Sequence, residues 1–163
     1  MIRYDIRLAT DSDMPFIWEM LYLSLHVPDG QPPFPRSVLD DPRIAHYLTQ
    51  WGRAGDCAFV AAVERGDRIG AGWMRLFDDS DQGYGYVSHD TPELAMAVVP
   101  EYRGKGVGGA MLERMMTEAR KRGLRGISLS VDPGNQAVRL YRRHGFEQVG
   151  SCDTSWTMVK LFD

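Results

Sequence analysis

Apolar and charged residues alternate from the start of the chain, with Ile2, Tyr4, Ile6 and Leu8 set between Arg3, Asp5 and Arg7. A period of two belongs to a strand with one buried face. The run closes at "ATDSD", where Thr10, Asp11 or Ser12 is placed to cap a helix. The period then changes. Phe16, Ile17, Met20, Leu21 and Leu23 make one apolar helix side, and Ile44, Tyr47, Leu48 and Trp51, three and four apart, predict a second helix within residues 41–53. Between them, "HVPDGQPPFP" is too rich in proline for either regular element and reads as a stiff, irregular loop.

"CAFVAAVE" and "IGAGWMRLF" flank the turn "RGDR" and predict a β-hairpin over residues 57–77. "DDSDQGYGYVSHD" follows as an acidic, mobile loop, and "ELAMAVV", residues 93–99, is apolar enough for a buried central strand. Val107, Met111, Leu112, Met115 and Ala119 then supply the buried stripe of a helix ending near "KRG", before a second buried strand, "GISLSV". Strand, crossover helix and strand within about forty residues make a right-handed βαβ unit with parallel strands. "NQAVRLYRRHG" predicts a short helix, with "FEQVGS" and "SWTMVKLF" as a two-stranded return. The elements imply one domain over residues 1–163, of the α+β (mixed α/β) class, with helices on both faces of the sheet.

Composition narrows the function. A chain of 163 residues buries about two-thirds of its unfolded surface and folds without staples. Its net charge of −3 argues against a nucleic-acid partner, since phosphate backbones call for a basic surface. The N-terminus lacks the apolar core of a signal peptide, and no window approaches the ~20 apolar residues of a membrane span. A cytoplasmic protein with no membrane partner is expected. Cys57 and Cys152 form no CxxC pair and are expected to be buried thiols. His26, His46, His89 and His144 occur singly, without metal-ligand spacing, so no metal site is expected.

The chemistry concentrates in "EYRGKGVGGAMLERMM", where Gly104, Gly106, Gly108 and Gly109 surround Lys105 and Val107 just after Arg103. Glycine opens main-chain N–H groups to a ligand, and a helix start adds unpaired donors and partial positive charge. Such a turn cradles phosphate. A Walker loop is excluded, because Gly109 is followed by Ala110 where lysine and a hydroxyl are required. The dinucleotide fingerprint GxGxxG is formally present in Gly104, Gly106 and Gly109, with Asp132 closing the next strand. In that fingerprint the glycines sit directly at the strand end, whereas here "PEYR" intervenes, and too little chain follows to complete a dinucleotide sheet.

"VVPEYRGKGVGGAML" together with "NQAVRLYRRHGF" resembles the GNAT acyltransferase superfamily. Arg103, Gly106 and Gly108 match its [RQ]-x-x-G-x-[GA] motif, and Asn135, Leu140, Tyr141, Gly145 and Phe146 match its second motif. Ala137 departs from the second pattern, standing two residues after Asn135. The resemblance is specific over residues 93–150 and consistent in element order throughout. It implies a twisted sheet of about seven strands, largely antiparallel with a splayed parallel pair, flanked by about four helices.

It also implies an acetyl-coenzyme A dependent N-acetyltransferase acting on an amine acceptor, with acetyl-coenzyme A as co-substrate and no metal. The diphosphate would lie on residues 103–109 and the pantetheine arm along Ala97, Val98 and Val99, an N–H near Val98 polarising the thioester carbonyl. Asn135 would bond the arm or cap its helix. Tyr141 falls on the family's general-acid position and also touches the co-substrate, while Glu93 stands where related enzymes keep a base that acts through water. By spacing alone Tyr141 is equally a core aromatic, and Glu93 equally a solvated strand-end charge. Trp18, Tyr22 and Trp73 are candidate walls for the acceptor, and Asp78, Asp79 and Asp81 candidate attractors of a cationic amine. Two other functions stay open: a non-catalytic acyl-coenzyme A sensor, and a dinucleotide oxidoreductase. Exposed strand edges at the C-terminus leave room for a homodimer.

Overall fold

The alternation at the N-terminus becomes an edge strand, β1 (Tyr4–Leu8), with Tyr4 and Ile6 half-buried and Arg7 and Leu8 exposed. In the computed structural model, which describes residues 2–163, it is followed by α1 (Met14–Ser24), α2 (Pro42–Ala45), β2 (Cys57–Val63) and β3 (Arg68–Arg75). Next come β4 (Glu93–Val98), α3 (Val107–Lys121), β5 (Gly126–Val131), α4 (Ala137–Arg143), β6 (Glu147–Cys152) and β7 (Ser155–Leu161). One sheet of seven strands runs in the order β1-β2-β3-β4-β5-β7-β6. Its pairs are antiparallel except for β4 and β5.

Two layers of helix cover the sheet. The stripe on α3 packs Val107, Met111, Leu112 and Met115 against Phe59, Ile127, Leu129 and Met158 on one face. On the other, Ile17, Met20 and Leu21 of α1 meet Trp73 and Phe77, with Tyr47 and Leu48 beside them. Each of these side chains gains about 1.5–3 kcal/mol by leaving water, which is why the periodicity that marks them also sets which helix side faces the sheet. The start of α1 is built as anticipated: Thr10 and Asp13 form a capping box around a 3-10 turn at Asp11–Asp13, and α1 follows directly.

Two expectations change. The predicted helix over residues 41–53 is a single turn, α2, followed by irregular turns that still bury Tyr47 and Leu48. The His46 and Thr49 carbonyls there accept from the Arg75 guanidinium at 2.9 and 2.7 Å, and Gln50 takes a positive φ of 55° that ends regular winding. Cys57 is buried, as expected, but Cys152 is exposed on β6, a strand exposed at every position. Among the described residues no helix is long and apolar enough to cross a membrane, and no group of three or more His, Cys, Asp or Glu side chains is arranged to hold a metal ion.

Candidate active site

The sheet opens between its two parallel strands. β4 and β5 are joined by one rung, Glu93 opposite Ser128, with the Ser128 N–H bonded to the Pro92 carbonyl at 2.9 Å. Beyond it the strands part. On its other side β4 stays paired with β3, and the Val99 N–H bonds to the Ile69 carbonyl at 2.9 Å. Because antiparallel pairing alternates, this bond turns the main-chain groups of Val99 and Ala97 towards β3 and those of Val98 and Met96 towards the opening. The Arg103 Nε donates to the Val98 carbonyl at 3.0 Å, in keeping with that alternation. Of the three strand positions singled out in the sequence, Val98 therefore presents an N–H to the opening. The Ala97 side chain lies in the α1-side core, and Val99 packs at the edge of both core layers.

Past the end of β4, residues 100–102 make a 3-10 turn and the chain enters the glycine loop. Gly104 and Gly106 have φ of 74° and 87°, a region costly for any residue with a Cβ, so here glycine is required by the backbone. Gly108 and Gly109 serve differently: they lie in the first turn of α3 and face Leu140 of α4. The first helical bond of α3 runs from the Ala110 N–H to the Gly106 carbonyl at 3.1 Å, and the N–H groups of residues 104–109 find no acceptor among the described residues. Uncompensated donors at a helix start, with Arg103 and Lys105 exposed beside them, are the donor set a diphosphate requires.

α4 brings Tyr141 into the α3-side core, 7% exposed, its ring 5.8 Å from that of Phe146 in an edge-on contact. Its hydroxyl has no hydrogen-bond partner among the described residues. Burial alone pushes the phenol up to about 12, so it carries its proton throughout the neutral range. Asn135 starts the helix by accepting from the Ala137 N–H at 2.9 Å through Oδ1.

Glu93 faces the opposite side of the sheet and is 3% exposed. The Gly85 N–H donates to its Oε1 at 2.7 Å, and the Tyr47 hydroxyl stands nearby. Burial raises the group to about 7, opposed by the nearby Tyr47 hydroxyl and the Gly85 N–H. Gly83 and Gly85 make this packing possible. A first side-chain carbon on Gly83 would fall 2.5 and 2.8 Å from the Glu93 oxygens and 2.8 Å from the Tyr47 hydroxyl. One on Gly85 would strike the main chain of Leu129 and Ser130 at 2.5–2.7 Å. The acidic loop is thus pinned in this structure. Its aspartates are engaged within it: Asp81 with His46 Nδ1 at 2.7 Å, Asp79 with the Tyr86 hydroxyl at 2.7 Å, and Asp78 with Ser80.

Of the suggested acceptor walls, Trp73 is wholly buried in the α1-side core and lines nothing. Trp18 and Tyr22 are half-buried, and the Tyr22 hydroxyl donates to the Phe34 carbonyl at 2.6 Å, tying α1 to the proline-rich loop. Tyr47, Gly83 and Gly85 are the site residues that sequence reading missed. The signal available was the pair of glycines in "QGYGY", which marks close backbone approach in a segment that otherwise reads as solvated.

A mixed seven-stranded sheet, open between one parallel pair and met at the opening by a helix start of free amides, is an acetyltransferase architecture. The chain superposes on ribosomal-protein-alanine N-acetyltransferase from Brucella melitensis over 97% of its own length and 99% of that chain, with a TM-score of 0.69 at 22% identity. The GNAT domain of S. lividans PAT gives 0.70 at 21% identity, covering 96% of this chain and 89% of that one. The profile of the acetyltransferase (GNAT) family matches residues 18–146, and the chain belongs to that family. The resemblance drawn from the two motifs is thereby borne out. Among curated relatives, mycothiol acetyltransferase from Propionibacterium freudenreichii is 32% identical over 102 residues, covering 62% of this chain and 30% of that protein. IAA acetyltransferase from Azospirillum brasilense is 36% identical over 97 residues, 58% of either chain. The chain spans under a third of the length of the mycothiol acetyltransferases it matches.

Proposed function

We propose that the chain is an acetyl-coenzyme A dependent N-acetyltransferase that transfers the acetyl group to a primary amine of a small molecule or peptide by direct attack in a ternary complex. The observation that carries this reading is the run of N–H groups over residues 104–109 that lack acceptors among the described residues at the start of α3, beside the opening between β4 and β5. They bind the diphosphate, with Arg103 and Lys105 adding positive potential. The Val98 N–H meets the thioester oxygen, where negative charge grows as the amine attacks.

Proton traffic falls to two groups on opposite faces of β4. Glu93 takes a proton from the ammonium through water, leaving the nitrogen lone pair free to form the new bond to the acetyl carbon. As the carbon–sulfur bond breaks, Tyr141 supplies a proton to the departing sulfur, and the second proton that the nitrogen sheds on becoming an amide restores the phenol. A carboxylate raised to about 7 and a phenol raised to about 12 suit these tasks, one able to accept and one still protonated at neutral pH. The same reading takes residues 1–163 as one catalytic domain and the location as cytoplasmic, in keeping with two free cysteines. A homodimer would use the exposed β6 edge.

The test is release of coenzyme A from acetyl-coenzyme A with spermidine, phosphinothricin and an alanine-led peptide as acceptors, comparing the unaltered chain with Tyr141→Phe. Transfer to one of them, with turnover reduced about 10²-fold or more in the variant, is expected. Tight coenzyme A binding without transfer to any amine would favour a sensor. Thermal stabilisation by NAD(H) and not by coenzyme A would end the reading altogether.

A further inference from the structure

Ser128 stands on β5 at the closed end of the opening, and it is wholly buried. Ile127 and Leu129 on either side of it enter the α3-side core, so the alternation of the strand turns Ser128 to the other face, the face of Glu93. The two are register partners across the single rung that joins β4 to β5. Neighbouring strands lie about 4.8 Å apart, so paired side chains on one face stand next to each other. Gly85 roofs the pair: its N–H bonds to Glu93 Oε1 at 2.7 Å, while a side-chain carbon on it would meet the Leu129 carbonyl and the Ser130 nitrogen at 2.5–2.7 Å.

Among the described residues three buried side-chain atoms have no hydrogen-bond partner: Ser128 Oγ, His46 Nε2 and Trp73 Nε1. The His46 ring lies 4.9 Å from the rings of Tyr47 and Phe77, and Trp73 is paired across the sheet with Ala58 and Ala95. Of the three, only Ser128 is the register partner of a carboxyl. Other groups around the pair are committed elsewhere. Arg75, opposite Glu93 on β3, spends its guanidinium on Asp56 and on the His46 and Thr49 carbonyls. Asp81 and His46 Nδ1 bond to each other, and Glu19 of α1 stands outside with Arg36. The Tyr47 hydroxyl accepts from the Tyr84 N–H at 2.9 Å, and the Thr157 hydroxyl donates to the Tyr84 carbonyl at 3.4 Å. A buried hydroxyl without a partner is costly, and alanine at that place in "GISLSV" would carry no such cost.

We propose that Ser128 is a positioning residue that holds, beside Glu93, the water through which the proton leaves the acceptor. Its O–H donates to the water oxygen, which accepts from the ammonium at its other lone pair and points one of its own O–H bonds at the Glu93 carboxylate. As the water takes the ammonium proton it hands one to the carboxylate, so the nitrogen lone pair is freed and the water is restored. A serine hydroxyl does not titrate in the working range, and so orients the water without competing for the proton. The inference rests on the reading of Glu93 as the base that acts through water. It gives β5, outside both motifs, a part in the chemistry.

Two measurements test this. The first needs no acceptor: a crystal structure of the unaltered chain with coenzyme A, at a resolution that orders single waters. A water within about 3.2 Å of both Ser128 Oγ and a Glu93 oxygen is expected. An Oγ bonded only to protein, or to nothing, overturns the inference and leaves Glu93 as base untouched. The second is the kinetics of Ser128→Ala between pH 6 and 9 with the best acceptor of spermidine, phosphinothricin and the alanine-led peptide. At pH 7 kcat should fall about tenfold, with KM moved by less than about twofold. The loss should shrink as pH rises towards the acceptor's own pKa, because an amine already neutral attacks without first giving up a proton. In a Glu93→Gln background Ser128→Ala should add nothing. No loss, or the same loss at every pH, marks a serine that merely packs and overturns the inference. If Glu93→Gln itself leaves the pH profile unchanged, the base reading falls and the role of Ser128 with it.

Discussion

Arg75 and Asp56 pair almost without water: the guanidinium donates at 3.0 Å from Nε and 2.8 Å from Nη2, with side-chain exposures of 1% and 2%. Asp56 also accepts from the Gly52 and Arg53 N–H groups, and Arg75 takes the two carbonyls that frame Tyr47. A buried pair of this kind holds position more than it adds net stability, but removing one member strands the other. Arg75→Met is therefore expected to cost about 3–5 kcal/mol in urea unfolding, and Arg75→Met with Asp56→Asn less than the two single changes together. Additive costs would show that the two side chains do not act as a pair.

Glu93 gives a stability prediction of unusual sign. Its folded value is raised to about 7, so between the ordinary glutamate range near 4.3 and about 7 the folded chain holds a proton that the unfolded chain has released. The stability this group contributes is full below that window and is lost as pH rises through it. Glu93→Gln carries no such charge and should be more stable than the unaltered chain at pH 8, by on the order of 1–3 kcal/mol, with the gap closing towards pH 4. Parallel curves of melting temperature against pH would refute the raised value.

Asp13 works in the opposite direction. It is fully buried, accepts from Arg7 at 2.7 and 2.9 Å, from the Thr10 N–H at 2.8 Å and from Arg68 at 2.7 Å, and is held well below the usual carboxylate range, chiefly by Arg7. Its contribution is present above the unfolded value near 3.9 and is lost as pH falls below it. Asp13→Asn should cost about 2 kcal/mol at pH 7 and markedly less at pH 2, read by denaturant midpoints at both.

A glycine of the loop and one of β6 separate backbone strain from the mere addition of a methyl group. Gly106→Ala forces a Cβ into positive φ with nothing within 4 Å to clash, so its cost is backbone strain of about 1–3 kcal/mol. Coenzyme A affinity measured by calorimetry is expected to fall about tenfold or more. Gly150→Ala, also with open space but no positive φ, is the control and should bind as the unaltered chain does.

Much of this molecule is legible from neighbours in the chain. The stripe on α3, the hairpin of β2 and β3, the alternation in β1 and the glycine turn are local patterns, because helix and strand periods and the demand for positive φ act over a few residues. Two motifs at a set separation were enough to indicate the family and the opening between β4 and β5. The helix expected over residues 41–53 failed because periodicity does not disclose that Arg75, some thirty positions later, takes the carbonyls a longer helix would have used.

Sequence alone determined most of the strands and helices, residues 41–53 excepted, the place of the amide-rich turn, and that Tyr141 and Glu93 were worth weighing. Tertiary structure decided what surrounds them. Glu93 reads as a strand-end charge until residues 47, 83 and 85, from two separate segments, close over it. Trp73 reads as a pocket wall until α1 and the turn after α2 bury it. Burial and hydrogen-bond partners are properties of contacts between segments remote in the chain, and they set a carboxyl's proton affinity more strongly than its own neighbours do.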